Sequence, residues 1–189
     1  MNKFVKKFAV GTLAVGLAAG AFAPSALAAT DDVGSTITGG DLSLTAPVIN
    51  DFNAVTLDGK IQSATATIDP FSVVDARGSG AGWNVMVSAG QLSQVDSTGN
   101  VIYSLPGNSM TISSPTVTAQ AGASAAEGLI KGSGTIDNTT GVKLISAGTD
   151  QGMGTYDISN SALDINLQPK DAKAGTYTST VTVNLTTGP

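Results

Sequence analysis

Residues 176–185, Thr176-Tyr177-Thr178-Ser179-Thr180-Val181-Thr182-Val183-Asn184-Leu185, place Tyr177, Ser179, Val181, Val183 and Leu185 in strict alternation with Thr176, Thr178, Thr180, Thr182 and Asn184. Period-2 alternation with β-branched residues on both faces is the signature of a half-buried strand. Working outward, the same period recurs three times. Ala64, Ala66 and Ile68 alternate with Thr65 and Thr67; Trp83, Val85 and Val87 with Asn84, Met86 and Ser88; Leu163, Ile165 and Leu167 with Asp164 and Asn166. Shorter strand candidates lie at 42–44, 101–103, 110–112 and 144–145. Turn chemistry separates these runs at Asp58-Gly59, Ser97-Thr98-Gly99-Asn100, Pro106-Gly107-Asn108 and Ala174-Gly175, which supply left-handed positions or side-chain-to-backbone hydrogen bonds. Only 119–131 leans toward helix, and Gly122 and Gly128 interrupt it, so it reads as a loop with at most one helical turn. The expectation is an all-β fold, an antiparallel β-sandwich or barrel-like single domain.

The N-terminal segment is read separately from the fold. Lys3, Lys6 and Lys7 precede an apolar run from Phe8 to Phe22, Pro24 and Ser25 break it, and Ala26-Leu27-Ala28 places small residues where signal peptidase cuts. The uncharged run is shorter than the roughly 20 residues a membrane span needs. Residues 1–28 are therefore expected to be a signal peptide, 29–40 a Thr/Gly/Asp-rich flexible lead-in, and 41–189 the folded domain. Cleavage takes three of the nine basic residues and none of the fourteen acidic ones, moving the net charge from −5 to −8. No membrane insertion is expected after cleavage. No apolar tail or basic end follows Leu185, so no C-terminal sorting signal is expected.

Composition narrows the chemistry further. The chain has no His and no Cys, which removes imidazole bases, Ser-His-Asp triads, disulfides and thiolate metal sites. The acidic balance argues against nucleic acid, whose phosphates call for clustered Lys and Arg. Only 12% of residues are charged, so Thr, Ser, Asn, Gln and Gly must make up most of the surface. Glu127 is the sole Glu. Asp69 and Asp75 flank Phe71 as a conceivable pair, but most Asp residues adjoin turn formers, where capping is the commoner role. Asp137-Asn138 and Asp150 are conceivable calcium ligands, yet no EF-hand pattern surrounds them and hairpin turns use the same residues. Gly78-Ser79-Gly80-Ala81-Gly82 precedes a strand, whereas phosphate-binding glycine motifs open a helix. The expectation is a protein that is not an enzyme and uses no metal or other cofactor.

The most unusual stretch is Val74-Asp75-Ala76-Arg77-Gly78-Ser79-Gly80-Ala81-Gly82-Trp83-Asn84-Val85. An Arg two residues after an Asp can form a charge-assisted fork that holds a tight glycine-rich turn. The single Trp that follows has two readings: core packing between sheets beside Val85 and Val87, or an exposed ring that anchors a ligand or partner.

This D-x-R-G turn leading to Trp83 resembles the WxL domain of Gram-positive cell-surface proteins. So does the closing Ala174-Gly175-Thr176-Tyr177 strand, and the opening from Gly40 to Phe52, with Leu42, Leu44 and Pro47, fits the family's start. The first motif reads Trp83-Asn84-Val85, with Val for Leu. The second reads Val183-Asn184-Leu185 and lacks its Trp. The resemblance implies a secreted protein held without a covalent bond on the extracellular cell wall, with peptidoglycan as ligand and other surface proteins, in adhesive or structural assemblies, as further partners. It implies ligand contacts at Trp83, Asn84, Val85, Val183 and Leu185, on a turn built by Asp75, Arg77 and Gly78. With the net charge at −8, attraction to anionic teichoic acids is disfavoured, leaving hydrogen bonding and stacking.

Overall fold

A computed structural model describes residues 31–189. The chain divides into Met1–Thr36 and Ile37–Pro189. Of the first unit, residues 31–36 are described; they are exposed and carry no secondary structure. The signal-peptide reading of 1–28 lies outside the described residues.

The second unit is built from β-strands. In chain order these are β1 (Leu42–Leu44), β2 (Gln62–Ile68), β3 (Phe71–Asp75), β4 (Trp83–Ala89), β5 (Ser93–Val95), β6 (Val101–Ser104) and β7 (Met110–Ile112). They continue as β8 (Thr116–Ala119), β9 (Ile130–Lys131), β10 (Gly134–Thr135), β11 (Val142–Ala147), β12 (Gly154–Ser159), β13 (Ser161–Leu167) and β14 (Val181–Thr187). Among the described residues the only helical element is one 3₁₀ turn, Ala126–Gly128, inside the stretch read as a loop. All strand pairs are antiparallel. They form sheets of order β1-β3-β12-β8, β10-β7-β13-β2 and β14-β4-β11-β9, with β5-β6 as a separate hairpin.

The first two sheets are halves of one arched ribbon. β2 and β3 run against β13 and β12 in one unbroken register, with Ile68 opposite Ser161 and Phe71 opposite Ile158. β7 and β8 do the same on the other side, with Ile112 opposite Leu163 and Thr116 opposite Ser159. The ladders are interrupted together at Asp69-Pro70, at Asn160 (φ 59°) and at residues 113–115. Proline cannot donate to a ladder, and Asn tolerates the left-handed conformation, so both suit the break.

Across that break the buried positions change parity. Ala64, Ala66 and Ile68 point inward before it, and Phe71, Val73 and Asp75 after it. Tyr156 and Ile158 give way to Ser161, Leu163 and Ile165 in the same manner. A strand that passes from one layer of a sandwich to the opposite layer must turn its other face to the core. Three neighbouring strands make that passage side by side.

The third sheet packs on the ribbon through Trp83 of β4 and Tyr156 of β12, whose ring centroids lie 5.8 Å apart at an interplanar angle of 58°. β4 is its central strand, paired with β14 from Trp83–Thr187 to Ala89–Val181 and with β11 on the other side. A register shift between Lys143 and Ile145 lets Leu144 and Ile145 both enter the core. The core is one continuous cluster. Ile136 joins it to the ribbon: its carbonyl accepts from Ala89 N (2.8 Å) and its N–H donates to Met110 O (3.0 Å).

The run at 176–185 departs from expectation in one respect. Only residues from Val181 onward join the β14 ladder. The chain before it bends toward β5, where Ser93 and Thr178 exchange both backbone hydrogen bonds at 2.9 Å.

Candidate functional site

The D-x-R-G turn forms as its local sequence suggests. Asp75 ends β3 with its side chain inward. Arg77 folds back so that Nε donates to Oδ1 and Nη2 to Oδ2, each at 2.8 Å, while Nη2 also donates to Gly82 O at 2.8 Å. The Arg77 guanidinium holds the Asp75 carboxyl below its usual value of 3.8, and the carboxylate raises Arg77 in return. A bidentate pair of this kind fixes orientation as well as charge. The fork thereby clamps the glycine-rich loop at both ends. Gly82 has φ 70°, and a Cβ there would stand 2.4 Å from Ala147 O, so no other residue fits without movement.

Trp83 follows directly and is fully buried. Its Nε1 donates to Gly152 O at 2.8 Å, and Gly152 (φ 74°) leaves no room for a Cβ, which would lie 2.5 Å from that nitrogen. Tyr156, against the Trp ring, donates its hydroxyl to Ser124 O at 2.8 Å; burial pushes that hydroxyl above its usual pKa. The structure therefore corrects the ligand-facing reading of Trp83. The ring's apolar surface is spent on the inter-sheet core, its polar atom is satisfied internally, and none of it reaches water.

The other motif residues are drawn into the same corner. Val85 is also fully buried, and Asn84 nearly so, with its Nδ2 donating to Gly188 O and its Oδ1 unpaired. Trp83 and Val85 have no exposed surface with which to touch a wall polymer in this fold. Val183 and Leu185 are half-buried and pack on the core. The two motifs lie on adjacent strands, with Leu185 opposite Val85 and Val183 opposite Val87. The sequence motifs meet in space, but as a structural seam. Gly188 N donating to Gly82 O (3.1 Å) closes that seam.

The carboxylates considered for catalysis are separated. Asp69 precedes β3 and Asp75 ends it, so the strand itself, about 13 Å from Phe71 to Asp75, lies between them. Asp69 accepts from Asn50 Nδ2 at 2.8 Å, and Asp75 belongs to Arg77. Asn138 caps its own turn, accepting from Thr140 N (2.9 Å) and Gly141 N (2.7 Å) and donating to Thr135 O (3.0 Å). Among the described residues no three carboxylates gather in a way that would hold a metal ion.

A surface hollow of about 580 Å³ lies elsewhere, lined by Gln91, Gly107, Asn108, Asp137, Asn138 and Thr139. It meets a second, of about 470 Å³, at Asn108; the second runs over Ser109, Thr111, Asp164 and Asn166 on β7 and β13. Asp137 is only 4% exposed. Its Oδ2 accepts from Ser109 N (2.8 Å) and its carbonyl from Asn108 N (3.4 Å), while Oδ1 has no partner. The sequence pointed here only through its turn residues Pro106-Gly107-Asn108 and Asp137-Asn138. Their convergence depends on contacts across 28 residues of chain.

Residues 27–189 match the family model described as WxL domain surface cell wall-binding. Searches of curated proteins and of solved structures returned no match. With both motif strands, the D-x-R-G turn and the closing strand assembled into one domain inside the matched span, the chain belongs to the WxL family of surface, cell wall-binding domains.

Proposed function

We propose that the protein is exported and held non-covalently on the Gram-positive cell wall, with peptidoglycan as the polymer that it contacts, and that it acts as a binding module rather than an enzyme. The family match over 27–189 carries this reading. The separation of Asp69 from Asp75, each held by a different partner, supports the non-catalytic part, since the two do not form a carboxylate pair. The burial of Trp83 changes the expected mode of contact. Recognition falls to surface amides, hydroxyls and carboxylates, with the WxL seam holding the scaffold that displays them.

The test is co-sedimentation of residues 29–189 with protein-free Gram-positive walls at low and high salt. Saturable retention that survives salt is the expected result; a protein that stays in the supernatant sinks the reading. A second reading is assembly with other surface proteins. β14 ends its sheet and offers Thr182, Asn184 and Thr186 exposed beside an unpaired backbone edge, the kind of edge to which a partner strand can add. Retention on walls only when a second surface protein is restored would favour that reading.

A further inference from the structure

We propose that the Asn108–Asp137 hollow is the ligand subsite of this domain and that Asp137 Oδ1 accepts a hydrogen bond from an N–H or O–H donor of the wall polymer. This rests on the wall-binding reading above and adds where and by what chemistry it occurs.

Asp137 carries the argument. An ionised carboxylate is acceptor-only, with room for about four hydrogen bonds. Here one oxygen is committed to Ser109 N and the other, just as deeply buried, to nothing. Leaving a buried acceptor unpaired is costly, and more so for a charged one. Three buried side-chain atoms lack a partner among the described residues, Asn84 Oδ1, Ser161 Oγ and Asp137 Oδ1, and of their residues only Asp137 lines either hollow.

The walls of the hollow define the donor. No Lys or Arg lines it, so it has no counter-charge for a phosphate or carboxylate ligand. No aromatic ring lines it, so stacking is not its mode of recognition. It sets the buried Asp137 carboxylate beside the exposed side chains of Asn108, Thr139 and Gln91, the last in a long bond to Leu105 O (3.5 Å). Asn138, fully engaged in its turn, is a fixed wall. The adjoining hollow continues the same polar lining past Asp164 and Asn166, so an extended polymer can run from one to the other. Peptide amides and amines, and glycan hydroxyls and acetamido groups, all supply the required donors.

The experiment is an amide-resolved NMR titration of residues 29–189 in two arms: peptide-free glycan fragments, and wall peptides freed of glycan. Shifts centred on the backbone amides of Asn108, Ser109, Asn138 and Thr139 in either arm support the subsite, and the responding arm names the donor's source. Asp137→Asn keeps an acceptor for Ser109 N while removing the charge, and it is expected to weaken that binding about tenfold with the rest of the spectrum unchanged. Asn108→Gly, which keeps the left-handed backbone (φ 65°), is the second variant and is expected to weaken it less. No shifts at these amides, shifts elsewhere, or equal affinity of Asp137→Asn would each overturn the subsite. Calcium chloride moving these amides when neither fragment does would also overturn it, making the site a cation site. Whole-wall sedimentation separates the two levels. Retention without shifts at these amides leaves wall binding standing and the subsite wrong, whereas absence of retention defeats wall binding itself.

Discussion

Asp75 and Asp137 are both nearly sealed from water, and they end in opposite states. Asp75 meets a guanidinium with both oxygens, and that guanidinium ties down the next loop as well. Asp137 has one oxygen on a backbone amide and one on nothing. The first region is closed on itself: Arg77, Gly82, Trp83, Gly152 and Tyr156 satisfy one another and face inward. The second borders open hollows lined by polar side chains, with Asn108 and Thr139 exposed among them. The residues most conspicuous in the sequence therefore build the frame, and the less conspicuous ones face the outside. An unusual motif can build the frame of a domain without being what touches the ligand.

That contrast breaks first at Trp83. Trp83→Ala removes a wholly buried ring and its hydrogen bond, and is expected to destabilise the domain by about 3–5 kcal/mol in urea unfolding. A loss below 1 kcal/mol would mean the ring is not core. Arg77→Ala comes next, at about 3 kcal/mol, because it leaves Asp75 buried without its partner. It also carries a pH signature. Asp75 titrates below 3.8 in the folded protein, so its stabilising contribution is fully present above about pH 4 and is lost as pH falls through the folded value. The stability gap between wild type and Arg77→Ala should accordingly narrow on acidification, as protonation removes the charge that Arg77 pairs.

Asp137→Asn sharpens the comparison from the other side, with an expected change in stability within about 1 kcal/mol, since the bond to Ser109 N survives. A loss as large as that of Arg77→Ala would make the two aspartates alike. The smallest effect is expected at Asp96, in the exposed β5–β6 turn. Hydrogen bonds from the Thr98 hydroxyl and from the Asn100 and Thr98 amides hold its pKa down to about 2. Thr98→Val should raise that midpoint in a carboxyl-resolved NMR titration and leave global unfolding unmoved.

The strands with uninterrupted alternation, β2, β4, β13 and the end of 176–185, were legible because burial on one face leaves a period-2 imprint. β3, β8 and β12 were not, for a physical reason. Ile68 and Phe71 both point inward across Asp69-Pro70, so a frame laid along 62–75 falls out of phase halfway. β9 and β10 have two residues each, too short for any period. The Asp75–Arg77 fork was readable because its partners are two residues apart. The burial of Trp83 was one of the two readings of that residue, and what decides between them is Gly152, far along the chain. Asp137 looked like any other turn aspartate until Ser109 was placed against it.

The long-range pairings also set a timetable for the chain. β2 finds its ladder partner only in β13, and β4 finds one of its two only in β14, about a hundred residues later. Such high contact order slows folding, and it means that no N-terminal fragment can complete the central seam. During synthesis β4 remains a hydrophobic strand with an open side until residues 181–187 emerge. Removing residues from Val181 onward would strand the domain in that immature, aggregation-prone state.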